Sequence, residues 1–99
     1  MRVISRKAIR EFSRNHQNAA APLGSWHKAI TTGTYTNFTE LKRTFNSLDP
    51  VRAKGRTLYV FDIGGNKFRL IAAIHFDKQR LYIRFILTHA DYDKGDWKK

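Results

Sequence analysis

The chain has 99 residues, of which 41% are hydrophobic and 13% are aromatic, enough apolar material for one modest core and too little for two domains. Nineteen Lys and Arg against eight Asp and Glu give a formal net charge of +11, which favours a polyanionic partner such as nucleic acid or an acidic protein segment. The chain has no cysteine, and its four histidines lack metal-motif spacing. We therefore expect residues 1–99 to form one domain without a metal or cofactor.

The sequence contains no predicted membrane segment. No apolar run approaches the roughly 20 residues that a bilayer span requires, and charged residues interrupt the apolar residues of the N-terminal stretch MRVISRKAIREF. This N-terminus is unlike a signal peptide. We expect a cytoplasmic protein.

Helices are predicted in the first half of the chain, after Val3 and Ile4, which are too few for more than a short strand. Apolar residues recur at helical spacing from residue 6 to about residue 15, and again from Pro22 to residues 31–33, where Trp26 is expected to anchor the core. Asn37, followed three residues later by Glu40, resembles a capping box and predicts a short third helix that ends near residue 45. A turn at residues 47–50 and a basic loop at residues 51–56 are expected to follow.

Three strands are predicted in the second half, at residues 57–63, 67–76 and 81–88, because these runs are rich in β-branched and aromatic residues. The connections at residues 64–66 and 77–80 are too short for a crossover helix, so the strands should form an antiparallel meander. The predicted fold class is α+β, with the N-terminal helices packed on one face of an antiparallel sheet of about four strands.

Side chains alternate between the two faces of a strand, which assigns the residues of the last two strands to a helix-covered face or an open face. The helix-covered face is predicted to hold Phe68, Leu70, Ala72, Ile74 and Phe76, with Leu81, Ile83, Phe85 and Leu87. The open face is predicted to hold Lys67, Arg69, Ile71, Ala73 and His75, with Tyr82, Arg84, Ile86 and Thr88. Cations should therefore stand on an open face.

The segment after the last strand concentrates reactive side chains. Residues 88–94, THADYDK, place an imidazole, a phenol, two carboxylates and an ammonium within seven residues. This segment, with the cations of the open face, is the first place at which chemistry is expected.

The run FDIGGNKFRLIA at residues 61–72, together with the ending THxxYDK at residues 88–94, resembles the HigB family of toxins. The similarity spans nearly the full length and includes Trp26, residues 45–49 and the closing KGDWK at residues 94–98. It implies a RelE-like fold, similar to microbial ribonucleases, and cleavage of messenger RNA, commonly on the ribosome. It also implies a HigA-type antitoxin with a helix-turn-helix domain, in an assembly such as a heterotetramer.

The residues agree with that implied chemistry. Cleaving RNA without a metal requires a base for the 2′-hydroxyl, cations for the phosphate oxygens and an acid for the leaving 5′-oxygen. Arg69 suits the cationic task, because a guanidinium matches phosphate oxygens bidentately, and Lys67 and Arg84 should assist it. Arg69 also matches the arginine in the second hairpin strand of RelE-like enzymes. Histidine exchanges protons near physiological pH, which makes His89 the leading acid or base.

Tyr92 has two expected roles: stacking on a nucleotide, or proton transfer if nearby cations lower the pKa of its phenol. Other residues are expected to contact RNA, namely Arg84, Lys94, Arg56, Lys54 and Asn66.

Structural alternatives remain open for each of the three main site residues. The ring of His89 could cap the strand end, Tyr92 could pack on the sheet edge, and Arg69 could pair with Asp62 or Asp91. A non-catalytic module that binds RNA or ribosomes would use the same charge. A DNA-binding repressor is disfavoured, because no recognition helix with a convincing turn is present.

Overall fold

The computed structural model describes residues 1–98, in which helices pack on a five-stranded mixed sheet. The strands are β1 (Arg2–Ile4), β2 (Asp49–Ala53), β3 (Arg56–Ile63), β4 (Phe68–His75) and β5 (Arg80–Thr88). The helices are α1 (Arg6–Asn15), α2 (Ala20–Thr32), α3 (Phe38–Thr44) and α4 (His89–Lys94), with 3-10 turns at Gln17–Ala19 and Asp96–Lys98. The strand order is β1-β5-β4-β3-β2, with β1 parallel to β5 and the other neighbours antiparallel. None of the helices in residues 1–98 has the length and apolar character needed to cross a membrane.

The α+β class and the antiparallel meander are confirmed, and α1, α2 and α3 begin and end close to the predicted positions, whereas the helix α4 was not predicted. The second helix starts two residues before Pro22, which is tolerated because first-turn N–H groups have no partner within a helix. The predicted cap of α3 is also present. Asn37 Oδ1 accepts a hydrogen bond from the Glu40 N–H at 2.9 Å, while Glu40 Oε1 accepts one from the Thr36 N–H at 2.9 Å.

The segment predicted as a basic loop contains the edge strand β2 and a tight turn, so the sheet has more strands than expected. β2 pairs with β3 through the two residues Lys54 and Gly55, whose φ angles are +52° and +77°. Positive φ at both central residues is the geometry that suits a two-residue hairpin. Pro50 and the charges of β2 hid the strand in the sequence, since proline is tolerated only at such edges.

A register shift in β5 changes which of its side chains face the helices. Ile71 lies opposite Phe85, whereas the next residue, Ala72, lies opposite Ile83. Arg84 is therefore an extra residue without a partner in β4, which is a β-bulge. Because side chains alternate with a period of two, one inserted residue reverses the faces of everything beyond it.

The bulge overturns part of the predicted core. Phe85 and Leu87 lie on the face away from the helices, and Phe85 is 39% exposed, so their assignment to the helix-covered core was wrong. Ile86, expected on the open face, packs instead against the helix-side core. The rest of that core agrees with the predicted alternation, and Trp26 is buried edge-on against Phe61, with ring centroids 5.3 Å apart.

The second face of the sheet was expected to be open, but the C-terminal segment covers part of it. Gly95, with φ of +75°, ends α4 and turns the chain back. Trp97 then packs at 7% exposure in a second apolar cluster with Ala53, Leu58, Val60, Ile71 and Ala73. Glycine suits this reversal because it adopts positive φ without steric cost. The second face thus has its own small core, with polar groups at its end and rim.

Candidate active site

The four predicted catalytic residues lie at one end of the second face. Arg69 stands near the start of β4, with Lys67 just before the strand, while His89 and Tyr92 belong to α4, which follows β5 directly. The backbone N–H of His89 donates to the carbonyl of Lys67 at 2.9 Å, so the start of α4 is tied to the start of β4. Thr88 caps α4 by accepting from the Asp91 N–H at 3.2 Å.

Arg69 is buried, at 8% exposure, and three acceptors orient its guanidinium. Its Nε lies 3.2 Å from the carboxylate of Asp62, the residue directly opposite in β3. Its Nη2 donates to Asn66 Oδ1 at 2.7 Å, and its Nη1 donates to the Phe68 carbonyl at 3.1 Å. The structure therefore contains the pairing with Asp62 that the sequence left open. A guanidinium has five N–H donors, so three acceptors do not exhaust it.

Tyr92 is half-buried between Trp97 and Arg69. Its ring stacks on Trp97 with centroids 5.3 Å apart and planes 14° apart, and the Arg69 guanidinium lies 5.5 Å from its centroid. Burial raises the pKa of the Tyr92 phenol and outweighs the lowering by Arg69, and three carboxylates raise that pKa further: Asp49, Asp62 and Asp93. The hypothesis that cations give this phenol a net lowered pKa was wrong, and the phenol stays protonated at neutral pH.

His89 is an exposed residue whose ring has a carboxylate partner. Its Nε2 lies 3.3 Å from Asp93 Oδ2, one helical turn further along α4, and both side chains are about half exposed, at 47% and 59%. The strand end is closed by the backbone N–H of His89 and not by its ring. An imidazole held by a carboxylate on the surface is oriented and can still exchange protons with a substrate.

The remaining cations of this end are exposed. Lys67 is exposed beside Arg69, and Lys94 lies 3.7 Å from Asp91 in an exposed pair. Exposed ion pairs of this kind contribute little to stability, so Lys94 can exchange Asp91 for a phosphate at small cost. Within residues 1–98, no group of three or more His, Asp or Glu side chains is placed to hold a metal ion.

The other predicted RNA contacts form a separate group. Lys54, Arg56 and Arg84 line one groove of about 320 Å³, together with Ala53, Leu58, Phe85 and Trp97. Trp97 joins the two groups, because it stacks on Tyr92 and also lines the groove.

Sequence reasoning missed the aromatic part of this surface. Phe85 was placed in the core because the bulge leaves no signal in the alternation. Trp97 was noticed only within the closing KGDWK motif, because the residues of its apolar cluster lie in β2, β3 and β4, well before it in the chain.

Comparisons with known proteins agree with the motifs. A family model described as HigB toxin, the RelE-like toxic component of a toxin-antitoxin system, matches residues 19–95. The chain is 34% identical over 94 residues to the mRNA interferase HigB of Escherichia coli O6:H1, covering 95% of this chain and 90% of the relative. It is 32% identical over 93 residues to the mRNA interferase toxin HigB of Escherichia coli K12 and to the mRNA interferase HigB of Shigella flexneri. These two alignments cover 94% of this chain and 88% of each relative.

Proposed function

The chain belongs to the HigB family of RelE-like toxins, and from this premise we propose that it is an mRNA interferase, an endoribonuclease that cuts messenger RNA by attack of a 2′-hydroxyl on the adjacent phosphate. One observation carries the proposal beyond the family likeness. The Arg69 guanidinium lies against the Tyr92 ring, and a backbone hydrogen bond from His89 to Lys67 ties the other two residues to the same end of the sheet. A cation, a proton acceptor and a proton donor within one small surface meet the needs of this reaction.

Each residue has a role that follows from its surroundings. His89, oriented by Asp93, takes the proton of the 2′-hydroxyl as the oxygen attacks phosphorus. Arg69 and Lys67 stabilise the negative charge that develops on the phosphate oxygens, with Asp62 and Asn66 holding the guanidinium in place. The bond from phosphorus to the 5′-oxygen then breaks, and Tyr92, whose raised pKa keeps it protonated, supplies the proton to that oxygen. The products are a 2′,3′-cyclic phosphate and a 5′-hydroxyl.

The proposed partners follow from the family and from the charge. The substrate is messenger RNA, engaged during translation on the ribosome, whose RNA surface would attract a protein of net charge +11. A HigA-type antitoxin with a helix-turn-helix domain would neutralise the toxin in a heterotetramer. Association of oppositely charged surfaces would be fast and would slow as salt is raised.

The reaction is tested in a reconstituted translation system with a defined message, with and without ribosomes. We expect new RNA ends only when the message is translated, and no cut at a position where the message carries a single 2′-deoxynucleotide. The same message cut at neighbouring positions serves as the internal control. Cutting at the 2′-deoxy position would contradict attack by the 2′-hydroxyl.

A non-catalytic RNA-binding or ribosome-binding module is the alternative, and the burial of Arg69 favours it. A guanidinium at 8% exposure, already held by Asp62, can serve the sheet instead of a phosphate. This alternative predicts that expression arrests growth and slows translation while the message stays intact. Primer extension on the message separates the two, because only the enzyme produces new ends.

A further inference from the structure

We propose that the groove between the β2–β3 turn and β5 is a nucleotide subsite, which holds the base and phosphate of a message nucleotide beside the one that is cut. The inference rests on the proposed function and extends it to residues outside the four catalytic candidates. The groove has a volume of about 320 Å³, within the range of small-molecule pockets. Its walls combine cations with aromatic rings, which is the combination that binds single-stranded nucleic acid.

The cations reach the groove from three different backbone features. Lys54 is the first of the two positive-φ residues of the β2–β3 turn, Arg56 is the first residue of β3, and Arg84 is the bulge residue of β5. All three are exposed, and none of the ion pairs within residues 1–98 involves them. Arg52 braces the turn by donating to Thr57 Oγ1 at 3.1 Å. Among the described residues, the three cations thus have no carboxylate partner in an ion pair, and the Arg84 guanidinium lies 6.0 Å from the centroid of the Tyr82 ring.

The aromatic surface comes from Phe85 and Trp97. Phe85 is 39% exposed, unlike the other large apolar side chains described, which are more buried. The bulge takes Phe85 out of the helix-side core, and Phe85 lines the groove as well as a second cavity beside α1. Trp97 is fixed in orientation by its stack on Tyr92 and by donation from its Nε1 to the Tyr92 carbonyl at 3.1 Å. Phe85 therefore offers an exposed ring on which a base can stack, and Trp97, at 7% exposure, forms part of the wall of the groove.

Charge and continuity favour RNA as the occupant. No acidic side chain is among the described residues that line the groove, and the chain carries a net charge of +11. A single strand offers phosphates and bases alternately, which matches cations placed beside aromatic rings. Trp97 also touches Tyr92, so a strand lying in the groove leads directly to the proposed catalytic end. A neighbouring nucleotide held here would position the scissile phosphate.

The test measures binding of a short single-stranded RNA made uncleavable by 2′-O-methyl groups. Phe85→Leu keeps an apolar side chain and removes the ring, so we expect affinity to fall about 5- to 100-fold, whereas Phe85→Tyr should bind like the wild type. Arg84→Gln should weaken binding and lower the slope of log affinity against log salt by about 0.7. The matched control is Arg43→Gln, an exposed arginine of α3, on the helix side of the sheet, which should leave the slope nearly unchanged.

Cleavage of a translated message is measured in parallel, together with photo-crosslinking of a 5-bromouridine oligonucleotide. Crosslinks at Phe85 or Trp97, together with weaker RNA binding by Phe85→Leu, support the subsite. This holds even if the wild type cuts no message, because absence of cleavage would contradict only the proposed function. If the wild type cuts and Phe85→Leu binds and crosslinks as the wild type does, the subsite is wrong and the enzyme stands. Loss of antitoxin binding by Phe85→Leu with RNA affinity unchanged would assign the groove to a protein partner and overturn the proposal.

Discussion

The two faces of the sheet bury their side chains by different means. On the helix side, apolar residues from β3, β4 and β5 meet α2 and α3, and Leu23, Ile30, Leu41 and Leu70 have no exposed surface. On the second side a smaller apolar cluster lies under Trp97, and the burial continues into the polar group around Arg69. The first face provides the stability of the domain, and the second presents charge at fixed positions.

Adjacent residues of β4 show the contrast most clearly. Leu70 is fully buried among apolar side chains, whereas Arg69, one residue earlier, is nearly as buried among a carboxylate, an amide and a carbonyl. Burying a charge costs free energy unless partners replace water, so the Arg69 site is held by specific contacts and not by packing alone. The contrast implies that substitutions on the first face should act through lost packing, and those around Arg69 through lost polar contacts.

The largest expected effect compares one residue from each face. Leu70→Ala removes fully buried atoms and leaves a cavity, so the free energy of unfolding should fall by roughly 2–5 kcal/mol. Phe85→Ala removes a ring that is already 39% exposed and should cost less than about 1.5 kcal/mol, because less apolar surface is lost from the interior. Urea denaturation of both variants gives the two values. Equal losses would mean that Phe85 belongs to a core after all.

A second comparison removes the carboxylate from a buried ion pair and from an exposed one. Asp62→Ala leaves the Arg69 guanidinium buried without its carboxylate, so we expect a loss of roughly 1–3 kcal/mol. Asp91→Ala is the matched control, since its partner Lys94 is exposed and the loss should be below about 1 kcal/mol. Denaturation midpoints of the two variants separate a buried pair from an exposed one. An Asp62→Ala midpoint equal to that of the control would show that Arg69 is solvated without Asp62.

The turn after α4, which brings Trp97 onto the second face, depends on the positive φ angle of Gly95. Gly95 has φ of +75°, and an added methyl group there would meet no atom within 4 Å, so Gly95→Ala should cost about 1 kcal/mol through strain and not through a clash. Gly24, in the interior of α2, has equally open space and no positive φ, so Gly24→Ala should stabilise the protein by roughly 0.5–1 kcal/mol. Thermal unfolding should therefore shift in opposite directions. A shift in the same direction for both would contradict the assigned backbone difference.

The smallest expected effect concerns how the free energy of unfolding changes with pH under alkaline conditions. Because burial raises the pKa of Tyr92 above its ordinary 10.0, the folded protein keeps a proton that the unfolded chain loses. The contribution of Tyr92 to stability is thus fully present below about pH 9 and is lost as pH rises from the unfolded pKa through the folded pKa. Tyr92→Phe has no such proton, so its unfolding free energy should fall less steeply between about pH 9 and 11. Parallel curves for the two proteins would show that the phenol is not desolvated.

The sequence predicted the features that depend on local order. Helical spacing around Ile9 and Phe12, and alternation along β3 and β4, arise from short-range periodicity and are visible in the sequence alone. The bulge at Arg84 depends on pairing between strands, and no glycine or proline marks it in the sequence. The fold-back of Trp97 depends on contacts with β2 and β3, far earlier in the chain.

The candidate site likewise has features that the sequence predicted and features that depend on contacts distant in the chain. The residue types and their clustering at residues 88–94 were readable from sequence, as was Asp62 as one possible partner of Arg69. The pKa of Tyr92 could not be inferred, because its direction depends on burial against Trp97, a contact that periodicity does not describe.

The central claim, that the end of the second face cuts RNA, is tested most directly by comparing two exposed histidines, one in α4 and one in β4. His89 lies at the proposed site, while His75 lies at the opposite end of β4 beside Tyr82, with ring centroids 5.4 Å apart. In single-turnover cleavage of a translated message by folded variants, His89→Ala should be slower by roughly 100- to 10,000-fold with RNA affinity unchanged, and His75→Ala should match the wild type. Cleavage by His89→Ala at the wild-type rate would contradict the claim.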